Sequence, residues 1–299
     1  MTPSALPTAH ILTSRGFDQS WFEWRPELRG KGPTLLFVHA TGFHARLWDE
    51  IISHLPGCHV IAVDQRGHGR SEGGKVDNWR EFGEDLAHLV EALDLTNIVG
   101  IGHSMGGHTL VDAVARCQDR FRRIIIIDPV VPELAAYEYE KDTGFSPDNP
   151  HPAAKRKNHF ESADEMIARF EDRSPYVVFT ATTLRNYCVY GLLPNPDGDG
   201  LVLACPPAVE SNVYMTSRTN AAIYESIATI DIPVLVIRAK RNEGAKWDFT
   251  SSPTSPALAS EFKNGRDMYR PDLTHFMPFE VPDEIAGIIE EEAQAGQEG

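Results

Sequence analysis

Five short apolar runs constrain this chain more than any other feature. They lie at residues 34–39, 59–64, 97–102, 123–128 and 233–238. Within each run the apolar residues are continuous rather than alternating, as in Arg123-Ile124-Ile125-Ile126-Ile127-Asp128. A strand of that kind is buried on both faces, which happens in a parallel sheet covered by helices on each side. The intervening segments supply the helices. Residues 78–93 carry Trp79, Phe82, Leu86, Leu89, Val90 and Leu93 at helical spacing. Residues 104–116 follow a strand directly and read as another helix. Strand and helix in alternation give an α/β fold, a doubly wound, mostly parallel sheet with right-handed crossovers.

The alternation breaks over residues 132–224. This stretch is richer in Pro, Tyr, Arg and Asn and lacks an apolar run as clean as the others. Helix-like pieces lie at 162–173 and 175–190, and the Pro194-Asn195-Pro196-Asp197-Gly198-Asp199-Gly200 sequence is a loop by its turn chemistry. The expected architecture is a core of residues 1–131 and 225–299, with a mostly helical cap or lid, 132–224, inserted after the sixth strand. The 299 residues suffice for such a core plus a modest insertion. The acidic tail from Glu290 onward is expected to fray.

Charge narrows the function classes. Lys and Arg total 28 against 43 for Asp and Glu, a formal net charge of −15. So acidic a chain gains nothing from a phosphate backbone or an anionic bilayer, so neither nucleic acid nor membrane is an expected partner. Cys58, Cys117, Cys188 and Cys205 are scattered, with no CxxC and no zinc-type spacing, and read as free thiols of a reducing compartment. Residues 1–14 lack the pattern of a secretory signal, and a cytoplasmic location follows by default. No metal or other cofactor is expected. A small-molecule substrate is the expected partner, and the sequence leaves a homodimer open.

The chemistry is concentrated in Gly102-His103-Ser104-Met105-Gly106. It follows a strand and opens a helix, and a nucleophile presented on so tight a turn needs small residues two before and two after it. Gly102 and Gly106 meet that need around Ser104. The Met105 N–H then sits at a helix N-terminus, aimed at a developing oxyanion. By itself a GxSxG is weak evidence, since a tight turn can carry a merely structural Ser.

Three further motifs occur in order around it. His39-Ala40-Thr41-Gly42-Phe43 follows the first strong strand, and Asp64-Gln65-Arg66-Gly67-His68-Gly69-Arg70-Ser71 the next. Asp272-Leu273-Thr274-His275-Phe276-Met277-Pro278 lies near the end. Together with Gly102 to Gly107 they resemble the α/β-hydrolase fold superfamily, in particular its capped serine esterases, over about residues 10–290. Ala40 departs from the family, where Gly is frequent. The resemblance implies Thr41 as the second oxyanion donor through its backbone N–H, and structural roles for Arg66, Gly67, His68 and Ser71.

The resemblance also places the base on a late loop, where His275 is the only His beyond His159. The acid is harder to place. Asn242 occupies the position where the family most often has Asp, and Glu243 and Asp248 follow it. The other known location is the end of the preceding strand, where Asp128 stands before Pro129 and faces the crevice at the carboxyl ends of the strands. Asp128 is the favoured acid, Glu243 the alternative and Asp248 a further one. Phe43, His44, His103, Tyr137 and Phe276 are candidate pocket residues, with further aromatics in the cap. A Ser nucleophile implies attack on a carbonyl, an acyl-enzyme and hydrolysis by water. The expected activity is that of a carboxylesterase on a small apolar or aromatic ester. A lactonase, or a C–C bond hydrolase acting on a meta-cleavage product, would use the same triad. A non-catalytic receptor on this fold is the reading from another class.

Overall fold

The computed structural model describes residues 6–138, 145–146, 148–242 and 248–295. β1 (Thr8–Ser14), β2 (Phe17–Trp24), β3 (Thr34–Val38), β4 (His59–Val63), β5 (Ile98–His103) and β6 (Phe121–Ile127) come first in the chain. β7 (His159–Phe160), β8 (Leu192–Pro194) and β9 (Leu201–Leu203) follow, then β10 (Val234–Ala239) and β11 (Gly265–Arg270). Eight of these form one sheet in the order β1-β2-β4-β3-β5-β6-β10-β11. The pairs from β4 through β11 are parallel, whereas β1 and β2 join by antiparallel pairing.

Two-sided burial explains the continuous apolar runs. Successive side chains of a strand point to opposite faces. Ile125 and Ile127 therefore pack with Phe37, Trp48, Ile101 and Ile285 on one face. Ile124 and Ile126 pack with Val38, Leu110, Val114 and Val236 on the other. The helices expected at 78–93 and 104–116 are Arg80–Ala92 and Met105–Cys117. Besides β1, which is largely exposed, the apolar pattern missed β2. It is buried almost throughout, yet it contains Gln19, Ser20 and Glu23. The Ser20 N–H donates to Ser71 Oγ, and Glu23 is met by His59.

The chain between β6 and β10 contains the helices Ala163–Phe170, Ala181–Tyr190 and Pro207–Met215. Ser162 and Thr180 cap the first two by accepting from the N–H groups of Glu165 and Thr183. The segment is mostly helical, as expected, and beside its helices it holds a small three-stranded antiparallel sheet, β7-β9-β8. Its strands have two or three residues each, too few for an apolar run to register. The Pro194–Gly200 loop is the turn joining β8 to β9, closed by the Asn195 N–H donating to the Gly200 carbonyl. Among the described residues no helix is long and apolar enough to cross a membrane.

Candidate active site

β5 delivers Ser104 into a strained turn. Ser104 has φ 56° and ψ −119°, and helix Met105–Cys117 begins at the next residue. The flanking glycines are required by contact. A Cβ on Gly106 would lie 2.1 Å from the Val38 carbonyl oxygen, and one on Gly102 would lie 2.4 Å from the Gly106 carbonyl oxygen. Both obstacles are backbone, which cannot swing aside. Gly106→Ala should therefore destabilise the fold by about 3 kcal/mol or more. A urea melt measures this, and an unchanged midpoint would refute the close-approach argument.

The loop after β3 lies against the elbow. Thr41 Oγ1 donates to Met105 Sδ at 3.4 Å. Neither the Thr41 nor the Met105 backbone N–H has an acceptor among the described residues. The loop is braced from below by His39, whose Nδ1–H donates to the Ala40 carbonyl while Nε2 accepts from the Gln65 N–H at 2.9 Å. The residues expected to be structural after β4 are engaged in the same scaffold. Arg66 is paired with Asp85, His68 donates to the Arg66 carbonyl, and Ser71 Oγ donates to the Asp64 carbonyl.

His275 reaches Ser104 from the loop after β11. Ser104 Oγ donates to His275 Nε2 at 3.0 Å, and His275 Nδ1–H donates to Asp128 Oδ2 at 2.5 Å. The other Asp128 oxygen accepts from the Ala239 N–H at 3.0 Å and from Ser252 Oγ at 2.5 Å. Asp128 is fully buried and has a left-handed φ of 45° that turns its carboxylate toward His275. Asn242 is exposed at its loop position. Asp248 accepts instead from Thr250 and Ser251 in its own turn. Those contacts hold the Asp248 carboxyl below its ordinary value, the Thr250 N–H foremost. Glu243 lies outside the described residues.

The candidate pocket residues divide. Phe43 and Phe276 stand 6.2 Å apart, centroid to centroid, and enclose the His275 side with Phe179 and Phe279. His44 is buried with its Nε2–H donating to the Tyr187 carbonyl at 3.2 Å, and burial pushes its pKa down to about 3. His103 is fully buried behind His275 and donates from Nε2 to the His275 carbonyl at 2.8 Å. Burial holds it neutral. Tyr137 is not at the pocket, which corrects its candidacy. It follows β6 in a short turn and packs into the core on the opposite face, against Tyr224 and Ile223.

Sequence reasoning missed Ser252, Arg156 and Glu210. Ser252 belongs to no motif. Arg156 is one of three consecutive basic residues, Lys155 to Lys157, and Glu210 a lone charge further along the inserted segment, and the two find each other only in the fold. The site is nearly closed, with Ser104 and His275 only 6% and 8% exposed. A cavity of about 10 Å³ lies beside Gly42 and Phe43, bounded by Arg156, Tyr187 and Cys205. It holds a single water at most.

Comparison with known proteins bears on the family and the fold. A bifunctional esterase/perhydrolase from Acinetobacter calcoaceticus is 24% identical over 281 residues, 90% of this chain and 93% of that protein. A non-heme chloroperoxidase from Streptomyces lividans is 34% identical over 141 residues, 44% of this chain and 48% of that protein. The chain thus aligns with only about half the length of the chloroperoxidase. The crystal structure of E-2-(acetamidomethylene)succinate hydrolase superposes with a TM-score of 0.74 at 20% identity, over 95% of this chain and 98% of that one. That likeness speaks to the fold. The model of the alpha/beta hydrolase family matches residues 35–288, from the strand before the Thr41 loop to beyond His275, and the chain belongs to that family of hydrolases.

Proposed function

We propose that this hydrolase is a serine carboxylesterase acting on small, apolar or aromatic esters through an acyl-enzyme. The observation that carries this reading is the continuous relay from Ser104 Oγ through His275 to Asp128, at 3.0 and 2.5 Å. His275 Nε2 takes the Ser104 proton as Oγ attacks the ester carbonyl. The negative charge on the carbonyl oxygen is met by the Thr41 and Met105 N–H groups, which have no other acceptor among the described residues. His275 passes its proton to the leaving alkoxide, which departs as the alcohol. Water then repeats the sequence on the acyl-enzyme and releases the acid. Asp128 keeps the His275 Nδ1–H in place and balances the imidazolium charge.

The Phe43, Phe179, Phe276 and Phe279 rings form an apolar wall beside this relay and support an apolar acyl or alcohol group. The closed site supports a small one. A p-nitrophenyl ester series from acetate to octanoate, run beside lactones and ring-cleavage diketones, tests this. The expected result is an acyl-enzyme burst with the shortest esters and covalent capture of Ser104 by a fluorophosphonate. A folded protein that takes no fluorophosphonate on Ser104 is not a serine hydrolase. Turnover confined to lactones or diketones would move the substrate class and keep the triad.

A further inference from the structure

The inserted segment places a buried ion pair directly on the loop that carries Thr41. Arg156 Nη1 donates to Glu210 Oε2 at 2.5 Å, and Glu210 is 5% exposed. Arg156 Nη2 donates to the Tyr187 hydroxyl at 2.7 Å, and the Tyr176 and Tyr187 hydroxyls are 3.1 Å apart. Burying two charges is expensive, and an apolar pair of similar volume is often as stable or more so. Fold stability therefore does not account for the pair, but its surroundings do.

The three residues after Thr41 are all held by Arg156 or its partners. Gly42 has φ 75°, and a Cβ there would lie 2.8 Å from Glu210 Oε1, so the carboxylate stands close to the loop at this position. The Phe43 ring meets the Tyr187 ring edge-on at 5.5 Å. His44 donates to the Tyr187 carbonyl. Gly42 follows Thr41, so the Glu210 charge stands one residue along the loop from the N–H proposed to meet the oxyanion. Unneutralised, it would oppose that oxyanion in a site with little water to screen it.

We infer that Arg156 and Glu210 are positioning residues for the oxyanion loop: the pair clamps Gly42 to His44, and Arg156 cancels a carboxylate that would otherwise oppose the oxyanion at Thr41. The inference rests on the esterase reading above. Arg156 is committed to Glu210 and so is not a free cation for a substrate carboxylate, which would have to displace Glu210 first.

The test compares Arg156→Gln, Arg156→Lys and the double variant Arg156→Gln/Glu210→Gln on p-nitrophenyl acetate. Rates are normalised to active sites counted by fluorophosphonate. Arg156→Gln removes the cation that keeps Glu210 ionised, and burial already raises the Glu210 pKa, so the loss should deepen as pH rises, with kcat about 100-fold down at pH 9 and KM changed less than about three-fold. Arg156→Lys keeps the charge and should recover at least about ten-fold of that loss. The double variant removes both charges and should also recover at least about ten-fold, although it keeps less of the original bonding. If Arg156→Gln does not fold, the double variant and Arg156→Lys still decide, since each should turn over within about ten-fold of the wild type. A wild-type kcat per titrated site in Arg156→Gln at pH 9 would overturn the inference, as would a loss confined to KM or a double variant no better than the single. If the wild type takes no fluorophosphonate, the esterase reading fails and the inference falls with it.

Discussion

Asp128→Asn is expected to lower kcat by about 10⁴ while leaving the fold and KM largely intact. The local hydrogen bonds give the reason. Asp128 Oδ1 faces three donors, the Ala239 N–H, Ser252 Oγ and Thr254 Oγ1, while Oδ2 faces His275 Nδ1. An Asn in this place turns its amide oxygen to those donors, so its NH₂ turns to His275. His275 can accept from that NH₂ only as the Nε2–H tautomer. That proton then points at Ser104 Oγ, where an acceptor is needed. The variant thus keeps the shape of the relay and reverses its direction. Steady-state kinetics on an activated ester reads the effect, and a melting curve shows that the protein is folded. Glu243→Gln is the matched control. If that change alone abolishes turnover, the acid assignment to Asp128 is wrong.

The second large effect is a loss of stability in mild acid. His39, His44, His68, His103 and His108 are fully buried, and burial lowers all five pKa values. His44 is brought to about 3, and His68 and His108 to about 4. In the unfolded chain a histidine titrates near 6.5. Below that pH the unfolded state takes up protons that the folded state refuses, so stability is present above about pH 6.5 and is lost as pH falls toward 4. At pH 5 each of His44, His68 and His108 costs about 2 kcal/mol, about 6 kcal/mol together, a large part of the stability of an ordinary domain, and His39 and His103 act in the same direction. Asp64 works the other way. Burial raises its pKa to about 6, so its desolvation cost is relieved as pH falls, returning about 1.4 kcal/mol at pH 5. The histidines outweigh it. Urea melts followed by the fluorescence of buried Trp48 and Trp79 should show a midpoint that collapses between pH 7 and 5. A midpoint that is flat across that range would mean these histidines do not stay neutral in the folded state.

Much of this protein is legible in the sequence because its signals are local. Continuous apolar runs fix buried parallel strands through two-sided burial, as Ile124 to Ile127 show by splitting between the two faces. Gly102 and Gly106 mark an elbow because backbone contacts around Ser104 admit no Cβ. The order of motifs names Thr41, Ser104 and His275 before any coordinate does. β2 escaped because its polar residues are satisfied by partners in other strands and loops, Ser71 for Ser20 and His59 and His10 for Glu23. The small sheet β7-β9-β8 escaped because strands this short carry no period.

The sequence favoured Asp128 as the acid but left Glu243 and Asp248 open, since all three lie near strand ends. What distinguishes Asp128 is a distance across 147 residues of chain to His275. The same is true of Tyr137, aromatic and close to the site in sequence yet folded onto the opposite face, and of Arg156 and Glu210, whose meeting is 54 residues apart. A strand, a turn or a nucleophile elbow is set by neighbours along the chain, and the sequence alone determined these. Which carboxylate meets an imidazole, and which charge is cancelled in the interior, depends on non-local packing and desolvation, and only the tertiary structure decided them.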